Sequence, residues 1–396
     1  MKINPIPILM MIVLFSIVAF MTLPSLTNAS LPDTNMSAMG SEMVRARVTQ
    51  IIEEGEIDLG GTLQRYQMAR VELLEGEYQG IVMEMDYGSR QIISNNLYLN
   101  PGDDVLVSIG ARPDGMLTVY FADFVRLNSI LWLTAIFAIT ILVISRWKGL
   151  RSLVSMALSL WIIIGYIIPR ILAGGDPLWV SISGSVVLLA VTLYLTYGWN
   201  LKTHAAVLSM IIVLLLTGTL AALFVLITKL TGAGDENALF LLQMLNTQIN
   251  LRGLLLGGMI IGALGVLDDL VTTQASAVFE LHHANPSLGF GLLFQSAMRI
   301  GQDHVAATVN TLVLAYAGAS LPMLLMFSLG RGDYGMLVNF QLVAEEIVRT
   351  LVGSLGLIAA VPLTTVIAIL FALRADSLGK WRPILGPEGS GASHSH

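Results

Sequence analysis

From Leu127 onward the chain runs through seven apolar stretches, each close to the ~20 residues that a helix needs to cross a bilayer. They are Ile130 to Ser145, Ser152 to Ile168, Trp179 to Tyr197, Ala205 to Thr228, Gly253 to Val271, Val305 to Phe327 and Leu351 to Leu373. A helix that is apolar on every side has no face for water, so it must be buried in protein or in lipid. The composition favours lipid. Hydrophobic residues make up 55% of the chain and charged ones 12%, about half the share usual in soluble domains, and mean hydropathy is +0.75. The expected fold class is therefore an α-helical polytopic membrane protein of about seven spans.

The stretch ahead of the spans is different. Residues 1–29 combine Lys2, an apolar run from Ile6 to Leu23 and a small-residue end at Thr27-Asn28-Ala29, which reads as a signal peptide or signal anchor, with cleavage left open. Residues 30–41 read as a linker. Between Glu42 and Leu127, apolar and polar residues alternate in short runs such as Val44-Arg45-Ala46-Arg47-Val48 and Val105-Leu106-Val107-Ser108-Ile109, the period of half-buried strands. Five strands are expected, with a hairpin at Glu75-Gly76-Glu77 joining Arg65–Leu74 to Tyr78–Met85 and a turn at Asn100-Pro101-Gly102-Asp103. A small barrel of the OB or SH3-like kind fits that count. Residues 376–396, ending in Gly, Ser and His, are expected to be a disordered tail.

Charge sets the orientation and the partners. Residues 30 to 127 hold 15 acids and 7 bases, and no segment offers the basic face that a nucleic-acid partner requires. With the barrel outside, the inner segments carry Lys2, Arg146, Lys148, Arg151, Lys202, Arg299, Arg374, Lys380 and Arg382, against Arg170, Lys229, Arg252, Arg331 and Arg349 outside. The bias obeys the positive-inside rule and puts the carboxyl terminus in the cytoplasm. The chain has no cysteine, which removes thiolate chemistry and every cysteine-based metal site.

The fifth span carries the most chemistry. Gly253, Gly257, Gly258, Gly262 and Gly265 are small residues that let a neighbouring helix approach closely. Asp268 and Asp269 follow, at a depth where ionisable groups are expensive and usually functional. The helical period sets Asp269, Thr273, Ser276 and Glu280 on one stripe with Asp268 and Thr272 beside it, a lining suited to a proton or cation. The bland alternative ends the span at Leu267 and leaves both acids in the interface.

The sixth span opens with Arg299, Gln302, Asp303, His304, Thr308 and Asn310. Asp303 is placed to cap the helix, and Asn310 to bridge helices or line a path. With His282 and His283, the inner ends of the two spans collect carboxylates and imidazoles, ligands that suit manganese, iron, zinc or nickel, but in no diagnostic spacing, so the metal stays unknown. Pro362 in the seventh span would free a carbonyl and bend the helix. Enzymatic signatures are thin: no Ser-His-Asp order or phosphate loop appears, and an intramembrane hydrolase would need Asp269 and Asp303 to meet from different helices.

The segments GALGVLDDLVTTQASAVFEL (Gly262 to Leu281), RIGQDHVAATVNTLVLAYAGASLPMLL (Arg299 to Leu325), TLYLTYGWNLKTHAA (Thr192 to Ala206) and EIVRTLVGSLGLIAAVPLTT (Glu346 to Thr365) resemble the YibE/F family of bacterial multipass membrane proteins. The resemblance covers most of the chain beyond residue 130. Gln302 departs from it, standing where that pattern has arginine between Gly301 and Asp303, which weakens an anion-binding role there. The resemblance implies a bacterial cytoplasmic membrane protein and implies no activity. The leading expectation is thus a transporter or channel-like permease for a small ion or solute. Asp268, Asp269, Thr272, Thr273, Glu280, Asp303 and Asn310 serve the path, Gly257, Gly258, Gly262, Gly265 and Pro362 serve packing or bending, and no cofactor is expected, a cation of unknown identity being the one candidate. The alternative is an envelope assembly or sensing protein whose β domain binds an extracytoplasmic partner. A homo-oligomer is compatible with both.

Overall fold

The computed structural model describes residues 42–59, 61–89, 97–111, 117–244, 249–329, 334–375 and 385–388. The expected signal segment and linker, residues 1–41, lie outside them. Two compact units divide the chain, one ending at Ile144 and holding a barrel, the other beginning at Ser145 and holding a helical bundle.

The barrel has five strands: β1 (Glu42–Leu59), β2 (Thr62–Leu73), β3 (Val82–Tyr87), β4 (Asp104–Ala111) and β5 (Leu117–Phe124). They close in the order β1-β2-β3-β5-β4, with β3 and β5 parallel and β4 returning to β1, the five-stranded closed layout of OB-type barrels. The alternation seen in the sequence fills the interior with Val44, Ala46, Val48, Ala69, Val71, Leu73, Met85, Val105, Val107 and Ile109. The turn at Asn100 forms as expected, with Asp103 N–H donating to Asn100 O at 3.0 Å. The hairpin at Glu75-Gly76-Glu77 does not form directly. β3 starts at Val82 instead of Tyr78, because Gly76 and Gly80, both at positive φ, take the chain through a longer loop.

Among the described residues, five helices are long and apolar enough to cross a bilayer: Leu127–Leu172, Pro177–Tyr197, Leu201–Ile227, Leu251–Ala284 and Gln341–Arg374. The count of seven is not reached, for two physical reasons. The first two expected spans lie in a single helical run, α1 (Leu127–Ile162), a π-helical turn (Ile163–Ile167) and α2 (Ile168–Leu172), broken only by the non-helical backbone of Arg146. The expected sixth span is divided between α7 (Phe290–Ala319), whose first half is polar, and α8 (Leu321–Leu329). None of the most apolar eighteen residues of the first run is buried within the chain. Trp132, Leu133, Val143 and Ile144 stand 68 to 75% exposed there, a face that only lipid or another protein removes from water.

The bundle is built on α3 (Pro177–Tyr197), α4 (Leu201–Ile227), α6 (Leu251–Ala284) and α10 (Gln341–Arg374), with the short α5 (Glu236–Met244) and α9 (Tyr334–Leu337) between them. α10 packs on α4, α6 and α7, and α6 packs on α3 and α4. Each of the three capped starts uses a side-chain acceptor for its free amides: Asp176 for α3, Asn200 for α4 and Asn250 for α6. Asn250 also donates to Asp176 at 3.2 Å, tying α6 to α3 at that end. Close approach occurs at several helical glycines, among them Gly257, where a Cβ would overlap Ser181 of α3, Gly356, where it would overlap Thr217 of α4, and Gly301, where it would overlap Val361 of α10. Pro362 stays inside a continuous α10.

The expected structureless tail departs from expectation at Leu385–Glu388. Leu201 N–H donates to Pro387 O at 2.9 Å, His204 meets Leu385 O at 3.0 Å, and His283 meets Glu388 at 3.1 Å.

Candidate functional site

α6 is continuous from Leu251 to Ala284, about 50 Å long and well beyond a ~30 Å hydrocarbon layer. The helix runs on past Leu267, and where along it the apolar layer ends is a separate matter. Asp268 lies ~26 Å along it, still close to the apolar layer.

One stripe of α6 faces a groove. Gly258, Ile261, Gly265 and Asp268 recur at intervals of three, four and three residues, a single helical face, and all line cavities. At Gly258 and Gly265 nothing stands within 4 Å of where a Cβ would be. These two glycines do not serve helix contact, as the sequence suggested. They hollow α6, while Gly257 and, through Pro177, Gly253 take the close contact with α3, and Gly262 meets only the Tyr316 hydroxyl of α7.

Two chambers open on this stripe. The first, about 370 Å³, is lined by Ser152, Ser155 and Ser159 of α1, Thr192, Thr196 and Tyr197 of α3, and Asp268. The second, about 320 Å³, is lined by Ile167, Ile168 and Ile171 along with Asp235, Glu345 and Arg349. Both include Ile163 and Ile261, so two isoleucines stand where the chambers meet. Polar groups thus lie at either end of a groove with an apolar waist.

Among the described residues, Asp268 is the one carboxylate with an unmet demand, beside the enclosed and unpartnered Arg45 Nε, Ser185 Oγ, His282 Nδ1 and Thr364 Oγ1. Its Oδ1 is fully enclosed and has no hydrogen-bond partner among the described residues, a costly state for a carboxylate oxygen. Thr272 does not relieve it, because its hydroxyl donates to the backbone oxygens of Asp268 at 2.8 Å and Asp269 at 3.1 Å. That commits the Thr272 proton, so the Tyr197 hydroxyl, 3.4 Å away, is the donor in their contact.

The other expected site residues lie elsewhere. Asp269 is 74% exposed and sits 3.7 Å from His304 of α7, about 100° around the helix from Asp268. Thr273 and Glu280 are exposed on the outer face of α6, as are Asp303 and Asn310 on α7. Asp303 is not a cap, since α7 begins at Phe290 with Gly289 as its cap. The six carboxylates and imidazoles expected to gather do not converge, and no three metal-ligating side chains form a group among the described residues.

Two polar residues missed by sequence reading are structurally prominent. Glu345 of α10 is 4% exposed, and its Oε1 accepts from Gly234 N–H at 3.2 Å and Gln341 Nε2 at 2.8 Å. The signal for it was the Gln341/Glu345 spacing of one helical turn. Gln274, 2% exposed, donates to Ala297 O at 3.0 Å and to Thr365 Oγ1 at 2.7 Å, joining α6, α7 and α10.

A family model described as YibE/F-like protein matches residues 133–374. No curated protein matches the chain, and no solved structure does.

Proposed function

The chain belongs to the YibE/F-like family, and from that premise we propose that it is a multipass membrane permease whose path for a small ion or solute is the groove along α6. The reading rests on one observation: the enclosed, unpartnered Oδ1 of Asp268 against a hydroxyl-lined chamber. A carboxylate oxygen in that state destabilises the fold unless something else binds it, and intramembrane acids of this kind serve transport by default. Gly258 and Gly265 keep the lumen open, Ile163 and Ile261 form its constriction, and Glu345 with Arg349 stands at the far mouth. Asp269, Thr273, Glu280, Asp303 and Asn310 lie off this path. In the bilayer α1 counts as two crossings around Arg146, and α7 with α8 as one, which gives seven, with the barrel outside a bacterial cytoplasmic membrane.

The test is flux into proteoliposomes, screened over protons, alkali cations and divalent cations. Asp268→Asn is expected to reduce flux to background, while Asp269→Asn keeps most of it. Undiminished flux in a folded Asp268→Asn protein would remove the groove from consideration.

A second reading, partner binding by the barrel, draws on a groove of about 450 Å³ lined by Ile51, Ile52, Arg65, Tyr98, Leu99 and Pro101. Deleting residues 42–126 separates the two: a permease keeps basal flux, whereas a sensing protein loses its phenotype completely.

A further inference from the structure

We infer that Leu385–Glu388 is a reversible strap that pins the start of α4 to the end of α6, and that its release opens the Asp268 chamber at the α3–α4 turn. The seat stands apart from any activity, and only its consequence for flux rests on the reading of the groove as the path.

Four consecutive residues each meet the bundle in a different way. The Leu385 side chain packs against the bundle core, and its carbonyl accepts from His204 Nε2 at 3.0 Å. A carbonyl can only accept, so Nε2 carries the proton, and in the neutral ring Nδ1 then accepts from the Tyr194 hydroxyl of α3 at 2.7 Å. Gly386 lies at φ +81°, and a Cβ there would stand 2.6 Å from Trp199 O, so this position combines a left-handed backbone with a close approach, and both favour glycine. Pro387 O accepts from Leu201 N–H at 2.9 Å. That amide belongs to the first turn of α4, whose N–H groups have no partner within the helix. Asn200 serves Thr203 N–H, and the strap serves Leu201. Glu388 meets His283, near the end of α6, at 3.1 Å.

The seat is held without being locked. Two hydrogen bonds, one leucine and an ion pair whose histidine is 47% exposed are set against the ordering of four residues, and the two sides are of similar size. Segments held in this way open before the core does.

The strap bears on a turn that borders the chamber. Tyr197, the last residue of α3, lines the chamber beside Thr196 and touches Thr272 of α6 at 3.4 Å. Asn200 Nδ2 donates to Tyr197 O at 2.9 Å, and Trp199, against which Gly386 lies, stands between them. The turn is therefore tied to α6 through Tyr197 and to the strap through Trp199 and the start of α4. Lifting the strap removes the second tie and leaves the first to hold the chamber wall.

The experiment uses the purified full chain in detergent. The chain has no cysteine, so Thr196→Cys reports on the chamber alone through its rate of labelling by a water-soluble maleimide. Labelling is measured with and without Gly386→Val or Glu388→Gln, and amide exchange at the start of α4 is followed in parallel. Gly386→Val is expected to raise both rates about tenfold, and Glu388→Gln to raise them less, with exchange in the barrel unchanged. A synthetic peptide spanning residues 383–390 should restore slow labelling and exchange to the Gly386→Val protein, and the same peptide carrying Gly386→Val should not. Should Gly386→Val fail to fold, Glu388→Gln decides alone. Rates unchanged in the variants, or faster exchange throughout the bundle that the peptide does not reverse, would overturn the strap. In proteoliposomes Gly386→Val should raise flux. Strap-dependent labelling without flux in any form of the protein would keep the strap and refute the permease. Asp268-dependent flux with labelling indifferent to Gly386 and Glu388 would do the reverse.

Discussion

In the barrel, Asp104 sits between two arginines, with Arg47 Nε at 2.8 Å and a guanidinium nitrogen of Arg45 at 3.5 Å. The hydrogen bond from Arg47 holds its carboxyl below the ordinary aspartate range. Asp123 is treated the same way by Arg126 at 2.8 Å. In the bundle, no basic side chain lines the Asp268 chamber among the described residues. Buried amides are handled alike in both units: Gln67 exchanges hydrogen bonds with the backbone of Leu99, and Gln274 bridges three helices. Enclosed atoms without a partner occur in both units, at Arg45 Nε in the barrel and at Ser185, His282 and Thr364 in the bundle, but among the described residues Asp268 is the one carboxylate in that state.

The widest separation comes from neutralising one acid in each unit. Asp268→Asn is expected to lower flux on the order of 100-fold, equal to about 2.7 kcal/mol, while raising the thermal midpoint, because it removes a charge from an enclosed position without a counter-ion. Asp104→Asn should leave flux alone. A fall in stability with Asp268→Asn would mean that this carboxylate is structural after all. Next come the glycines of α6. Gly257→Leu, driven into Ser181 and Pro177, is expected to cost about 3 kcal/mol and to show as loss of folded yield. Gly265→Leu, which points into open space, should preserve folding and block the chamber, read as normal yield with no flux. Gln274→Leu in the bundle and Gln67→Leu in the barrel should each cost about 1–3 kcal/mol through the partners left bare. Hydrogen exchange should locate each loss in its own unit, and a loss shared between units would show them coupled.

The smallest effect is the acid limb of the barrel. Because Asp104 has a depressed pKa in the fold, its contribution is present above the unfolded value of about 3.9 and fades as pH falls through the folded value. Exchange of the β1–β4 amides should accelerate in that acid window, and Asp104→Asn should flatten the change.

The strands were legible because one buried face imposes a period of two, and Val44, Ala46 and Val48 announce it on their own. The spans were legible through length and apolarity, yet their count was not. Arg146 and the polar start of α7 decide where helices break, and backbone conformation at a single arginine leaves no compositional trace. For the acids, sequence placed Asp268 and Asp269 about 100° apart but gave no sign of which one α3 would cover. The stripe Gly258, Ile261, Gly265, Asp268 was readable as a face. Reading it as a cavity required knowing that Ser181 fills the space beside Gly257 and nothing fills the space beside Gly265. Nothing in the sequence around Glu345 points to Gly234, the distant residue whose N–H donates to it.

The π-helical turn at Ile163–Ile167 acts on the groove as a correction of phase. Ser152, Ser155 and Ser159 before it and Ile168 and Ile171 after it line the two cavities along α6. Nineteen residues separate Ser152 from Ile171, and at about 100° per residue a plain α-helix would carry Ile171 about 100° past the serine face. A π turn absorbs one residue without advancing the helix's facing, which brings the two ends back into step. Deleting Gly165 from that turn keeps every side chain that lines the groove and turns half of them away from it.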